Sequence, residues 1–323
     1  MALYITVTGI VVGVLFILSW VINAVFFRNR YISSPLPSHG YEEALEKLFL
    51  FQEQDDSEVN PACRTHALLH GKKTDRVIVL YHGITNCPKQ FHKLGDMFYK
   101  KGYNVFIPRM PRNGMKDRMT TELVKLTTEE LRQYADKSVD IATGMGNEVY
   151  VMGLSASGVV AAWIAQHRPD VKRVMLIGAA FGVTSSFPQL HMILMHILLA
   201  LPNIATQGIM PFTGAPDHTY LGHSTRALAT VMKLGTSVFI SAWQKKPAAE
   251  SIIVVMNDND IAVDDRVTRD LIRVWKRKKK KVETYTFPKN MKVAHDMIDP
   301  SQQFEKTSLV YPKLIELLEE MNE

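Results

Sequence analysis

The sequence predicts an α/β protein built on a mostly parallel sheet covered by helices on both faces. Three observations predict it. Short apolar runs rich in β-branched residues alternate with segments of helical periodicity, and the connections are too long for hairpins. Several of those runs are continuously apolar, as strands buried on both faces must be. One of them ends in the stretch GLSASG, residues 153–158, where a strand pattern breaks at a glycine and an alanine-rich helix starts at once.

Taken in order, the chain opens with residues 4–27, which carry no charged side chain. As a helix this run reaches roughly 36 Å, enough to cross a bilayer with some tilt. No basic residue precedes the run, and Arg28 and Arg30 follow it. That pattern suits an uncleaved anchor better than a signal peptide. The positive-inside bias places the two arginines, and the chain after them, in the cytoplasm. The expected domain boundaries are a transmembrane anchor over 1–30, then a linker and amphipathic helix over 31–60. The first part of the core follows over 61–182, an inserted cap or lid over 183–247, and the second part of the core over 248–323.

Residues 31–39, YISSPLPSH, read as the linker because Pro and Ser interrupt helix. GYEEALEKLFLFQEQ has helical spacing with acidic residues near its start. CRTHALLHG alternates and ends at Gly71, and RVIVLYHG is a buried strand. QFHKLGDMFYKKG is helical, YNVFIPRMP a strand broken by prolines, and TEELRQYADKSVDIATGMG helical. EVYVMG, RVMLIGAA, SIIVVMND and VETYTFP complete the strands. The long connection from Gly182 to Pro247 contains LHMILMHILLALP. That run is too short for a membrane span and includes His191 and His196, so it reads as a buried or interfacial helix. An insertion of this length reads as a cap over a site, or as an extra layer of core.

Lysine and arginine number 38 against 32 acidic residues, a net charge of +6. The run Lys276–Lys281 holds six of the basic residues, so the remainder balances at 32 and 32. A nucleic-acid protein needs a broader basic face. The run is read either as a solvated helix end or as a membrane-surface contact. Cys63 and Cys87 are too few for a disulfide framework and are compatible with a reducing compartment.

The chemistry centres on Ser155. A Gly-x-Ser-x-small turn between strand and helix exposes the serine oxygen, and the helix start aims N–H groups at developing negative charge. Ser157 reads as a small-residue position rather than as the nucleophile. A serine needs a base, and the base needs a carboxylate. His295 is the histidine beyond the last strand. NDNDIAV offers Asp260, whose spacing sets Val263 under the sheet, and Asp258 as the alternative. The chain order Ser155, Asp260, His295 follows.

These stretches carry a resemblance to the α/β-hydrolase superfamily, in particular to bacterial carboxylesterases and monoacylglycerol-lipase-type enzymes. LYHGITNCPKQFHKLGDMFYKKGYNVFIPRMPRNG, GLSASG, NDNDIAV and AHDMI are similar to that family's oxyanion turn, elbow, acid turn and histidine loop. The resemblance runs from about Pro61 onward and is weakest in the cap. It implies an oxyanion hole from the backbone N–H groups of Ile84 and Ala156, with His82 and Gly83 as the supporting turn. Two departures stand out. Ser157 replaces a common glycine, and Asn113, within Arg112–Gly114, replaces a common histidine.

A serine at the elbow excludes the aspartate-dependent haloalkane and epoxide chemistries of that fold. Acyl transfer to water remains, on an ester that is apolar or lipid-like, with thioester and amide open. A silent, membrane-tethered binding module is the alternative. No cofactor, metal or nucleic acid is expected. His66 and His70 lie in a strand pattern, where a spacing of four does not converge on a metal, and His191 and His196 are spaced poorly for a helical pair.

Overall fold

In the computed structural model, residue 13 and residues 31–182 and 215–320 are described. The anchor run, the LHMILMHILLALP segment with His191 and His196, and most of the expected cap lie outside them. Among the described residues no helix is long and apolar enough to cross a membrane.

Seven strands form one sheet in the order β1-β3-β2-β4-β5-β6-β7. They are β1 (His66–Leu68), β2 (Thr74–Tyr81), β3 (Asn104–Ile107), β4 (Gly146–Leu154), β5 (Arg173–Ile177), β6 (Ser251–Asn257) and β7 (Val282–Phe287). Only β1 runs antiparallel, paired to β3 as His66↔Ile107. The central strands are buried throughout, with β5 and β6 covered at every residue. That explains their uninterrupted apolar sequence.

Helices α1 (Tyr41–Gln52), α3 (Thr128–Met145), α4 (Ala156–His167), α5 (Thr225–Gln244) and α6 (Asp265–Arg277) cover one face. Helices α2 (His92–Lys100) and α7 (Thr307–Glu319) cover the other. Local signals set their starts. At α3 the Thr127 hydroxyl accepts from Glu130 N at 3.1 Å, while Glu130 Oε2 accepts from Thr127 N at 2.8 Å. This reciprocal box satisfies two N–H groups that the helix itself cannot. The Ser224 side chain caps α5 with a single bond, accepting from Ala227 N at 3.1 Å. Helix α5 lies in the stretch expected as cap, and it packs on the core beside α4.

The segment read as a linker is held fast. Arg168 is fully buried, with Asp136 at 3.2 Å, Asp140 at 2.7 Å and Asp170 at 2.5 Å. Asp136 and Asp140 also accept from the incoming chain: Ser34 N donates to Asp136 Oδ2 at 3.0 Å and Leu36 N to Asp140 Oδ2 at 3.0 Å. One step earlier, the Trp163 indole N–H donates to Tyr31 O at 2.7 Å. Proline and serine do prevent helix there, but side chains over 100 residues away in sequence supply the partners.

Two further expectations change. Cys63 and Cys87, read as compatible with a reducing compartment, form a disulfide, with Cα atoms 5.1 Å apart. Lys276–Lys281 is not a uniformly solvated helix end. α6 stops at Arg277, and Lys280 is 9% exposed, its ammonium donating to Pro247 O at 3.2 Å.

Candidate active site

The carboxyl ends of the parallel strands gather the site. Ser155 joins β4 to α4 with φ 59° and ψ −118°, a backbone that L-residues rarely adopt. Its neighbours hold it there. Ser155 N donates to Ile177 O at 2.9 Å, and Ser155 O accepts from Gly158 N at 2.9 Å and from Ala180 N at 3.0 Å. The turn also needs small residues. A Cβ placed on Gly153 would fall 2.2 Å from Ser157 O.

His295 lies between the serine and an acid. Its Nε2 is 2.9 Å from Ser155 Oγ, and its Nδ1 is 2.6 Å from Asp260 Oδ2. Asp260 Oδ1 accepts from Ala262 N at 2.8 Å and Val263 N at 3.2 Å, so the acid is fixed by its own turn. Val263 is buried, as its spacing predicts. Asp258, the alternative acid, is exposed on the turn. Burial alone lowers the pKa of His295; the hydrogen bond and charge of Asp260, with Asp296 and Asp265 behind, outweigh it, and the net direction is upward. Gly178 closes the side of this pair. A Cβ there would lie 3.5 Å from Asp260 Oδ2 and 3.6 Å from His295 Cε1.

The turn after β2 faces the serine: a Cβ on Gly83 would lie 4.0 Å from Ser155 Cβ. His82 is fully buried, and burial pushes its pKa down to about 4. The neutral ring donates from Nδ1 to Gly83 O at 2.9 Å and accepts at Nε2 from Met110 N at 3.0 Å. His82 therefore braces the turn and does not touch the serine's proton. Ser157 is more than a small residue. Its hydroxyl donates to His82 O at 2.5 Å and ties the elbow to this turn. Asn113 makes a comparable brace, donating to Ile84 O and, at 3.1 Å, to Asn86 O. Ile84 and Ala156, the expected oxyanion pair, stand on either side of this junction. Ile84 lies in the braced turn, and Ala156 is the first residue of α4.

A polar lattice behind the site has no counterpart in the sequence reading. Gln90 Oε1 accepts from Gly83 N at 2.9 Å, while its Nε2 donates to Asp296 Oδ2 at 2.8 Å. Asn86 Nδ2 donates to Asp296 Oδ2 at 3.1 Å and to Asp299 Oδ2 at 3.0 Å. His218 Nε2 lies 2.7 Å from the same Asp299 oxygen. Burial and the neighbouring Asp299 raise the pKa of Asp296. Burial also acts to raise that of Asp299, but its bonds to His218 and Asn86 lower it overall. The lattice joins the turn carrying Ile84 to the loop carrying His295. On the acid side, Asn257 Nδ2 and Asn259 Nδ2 donate to Val293 O at 2.8 Å and 3.1 Å and fasten the other end of that loop. Single polar letters in loops carry no signal of it.

The disulfide sits beside this turn, one residue beyond Asn86. His66 stacks on His92 and His70 on Tyr99, so neither is arranged as a ligand pair. Among the described residues no group of His, Cys, Asp or Glu converges to hold a metal ion.

A parallel sheet with a serine elbow, an acid turn and a histidine loop at its carboxyl edge defines an α/β hydrolase. The family model described as "Serine aminopeptidase, S33" matches residues 72–287, and the chain belongs to that family. The chain is similar to the thermostable monoacylglycerol lipase of Bacillus sp. (strain H-257), 28% identical over 112 residues. That match covers 33% of this chain and 41% of the relative. Among solved structures, a soluble variant of monoglyceride lipase from Saccharomyces cerevisiae superposes with TM-score 0.60 at 16% identity. It covers 80% of this chain and 90% of its own. The monoacylglycerol lipase of Paleococcus ferrophilus gives TM-score 0.57 at 16% identity, covering 79% and 97%. At these identities the structures show the fold. The lipase match spans less than half the length of that relative.

Proposed function

We propose that the protein is a membrane-anchored serine hydrolase that cleaves apolar acyl esters of the monoacylglycerol type through an acyl-enzyme on Ser155. The observation that carries the reading is the unbroken line of contacts Ser155 Oγ–His295 Nε2 and His295 Nδ1–Asp260 Oδ2, at 2.9 Å and 2.6 Å. His295 takes the hydroxyl proton as Ser155 Oγ attacks the ester carbonyl, and Asp260 stabilises the imidazolium that forms. The N–H groups of Ile84 and Ala156 receive the developing oxyanion. The imidazolium then protonates the departing alcohol, and water repeats the sequence to release the acid.

The ester class follows from the monoacylglycerol lipase relative, whose matched region is 33% of the chain. The anchor follows from the uncharged run of residues 4–27. Two observations bear on the side of the membrane, and they oppose one another. Arg28 and Arg30 favour the cytoplasm, whereas a disulfide persists in oxidising compartments. Protection of the catalytic domain from added protease in intact but not in lysed cells would place it in the cytoplasm, and digestion in intact cells would place it outside.

A fluorophosphonate probe tests the reaction directly. The parent should label and Ser155→Ala should not, because alanine keeps the small-residue packing of the turn. Equal labelling of both would remove Ser155 from the reaction, and a parent that never labels would favour a silent binding module. A panel of monoacylglycerol, thioester and aminoacyl amide substrates then sets the acyl class.

A further inference from the structure

Residues 28–30 alone separate the uncharged run from Tyr31, which is 6% exposed and fixed in place. Tyr31 packs on α5 against Ala229 and Met232, and its carbonyl accepts the Trp163 indole N–H. An extended chain advances at most about 3.6 Å per residue. On the anchored reading above, Tyr31 and the surface around it therefore lie within roughly 14 Å of the bilayer.

That surface is a face of α5. Beyond the part that Tyr31 covers, Lys233, Thr236, Ile240 and Trp243 recur at helical spacing and are partly or well exposed, so they line one side of the helix. Trp243, toward its end, is 60% exposed. From Thr225 to Pro247 the sequence holds Arg226, Lys233, Lys245 and Lys246 and no acidic residue. The contact of Lys280 Nζ with Pro247 O brings Lys276–Lys281 alongside Lys245 and Lys246. Burial first, and the charge of Lys246 second, lower the pKa of Lys280, so like charges crowd this border. Glu250 is the acid in reach, and it is engaged with Lys172 at 3.1 Å. Crowded cations beside an exposed indole match the headgroup region of an anionic bilayer, where an amphipathic ring and basic side chains are both favoured.

We propose that this stripe of α5 lies along an anionic membrane surface, with Trp243 inserted as its aromatic anchor and Lys245, Lys246 and Lys276–Lys281 as its cationic border. The inference rests on the anchored reading of residues 4–27. The helix lies on the bilayer rather than across it, since no described helix is apolar enough to span. The chain thus meets the membrane twice, through the anchor and through a face that fixes the orientation of the hydrolase domain.

The test uses the full chain in vesicles, with a nitroxide on Ile240→Cys, one turn before the retained Trp243, and, in a second sample, on Leu309→Cys of the opposite helix layer. Cys63 and Cys87 are bonded to each other and leave these thiols as the labelling sites. Flotation in high salt reports the anchor; relaxation by oxygen against an aqueous nickel chelate reports the face. In phosphatidylserine-containing vesicles the label at 240 should favour oxygen and the label at 309 should favour nickel. Replacing Lys245, Lys246 and Lys276, Lys278, Lys279 and Lys281 by Gln should return the label at 240 to water without releasing the protein. Parent-level turnover of a soluble ester certifies that each variant is folded. A floating protein whose label at 240 is as aqueous as that at 309 overturns the face alone. A chain that does not float in high salt overturns the anchored reading, and the proposal with it.

Discussion

The two edges of the sheet use charge in opposite ways. At the carboxyl edge, Asp260, Asp296 and Asp299 are held by named donors at 2.6–3.2 Å. At the amino edge, roughly 20 Å away along the thirteen residues of α6, the basic run is a sum of similar lysines. On the proposed function, the first edge depends on position and the second on number. Single substitutions should be severe at one edge and individually weak at the other.

Asp260→Asn should give the largest effect. Loss of the orienting acid costs on the order of 10⁴ in kcat where a triad has been dissected, because the imidazole then favours the wrong tautomer. Asp258→Asn, on the same turn but exposed, should stay near the parent. Steady-state hydrolysis of a soluble ester compares them, and a crippled Asp258 variant would shift the acid by two residues.

Reduction of Cys63–Cys87 comes next. The bond closes a loop with a sequence separation of 24, for which chain entropy suggests about 3 kcal/mol of stability. Urea midpoints with and without reductant measure it. An unchanged midpoint would mean that the turn beside Asn86 is held by its hydrogen bonds alone.

Gln90→Leu removes both halves of the bridge from Gly83 N to Asp296. A slight misplacement of a catalytic group costs up to about a hundredfold, so kcat should fall about ten- to a hundredfold. KM should move little, because the bridge lies behind the site. Gln90→Glu restores the acceptor for Gly83 N but sets a carboxylate against Asp296, so its activity relative to the parent at the same pH should recover only as pH falls. Recovery at every pH would show that the Asp296 half is idle.

The pH profile supplies a smaller effect. In the proposed mechanism His295 acts as a base only when neutral, and, against burial, Asp260 raises its pKa from the ordinary 6.5. The acid limb of kcat/KM should therefore sit above pH 6.5 and fall about tenfold per unit below its midpoint. The same raised pKa adds folded-state stability that is full below pH 6.5 and is lost as pH rises through the folded value. A limb at or below pH 6.5 would mean that Asp260 does not outweigh burial. Last, Lys278→Gln alone should leave soluble-ester turnover unchanged, as a member of a sum should.

What the sequence made legible follows the same division. The strands were readable because double-sided burial leaves only apolar letters, as in β5 and β6. Ser155, Asp260 and His295 were readable because each occupies a turn with its own local grammar, and their order in the chain is a constraint. The seat of the linker on Asp136 and Asp140 and the Gln90–Asp296 bridge were not. Their partners are over 100 and over 200 residues apart, and nothing in a single polar letter names its partner. The disulfide was hidden for the same reason, since two cysteines carry no pattern.

The left-handed backbone at Ser155 also limits which nucleophiles evolution or an engineer could exchange there. At φ 59° a β-branched side chain meets its own backbone. Threonine, the closest relative of serine in chemistry, is therefore shut out by shape, although it offers the same hydroxyl. Cysteine, unbranched at Cβ and nearly isosteric, fits the turn and changes only the reacting atom. The elbow thus leaves a thiol as the accessible neighbour of this hydroxyl, and a Ser155→Cys enzyme would inherit its geometry intact.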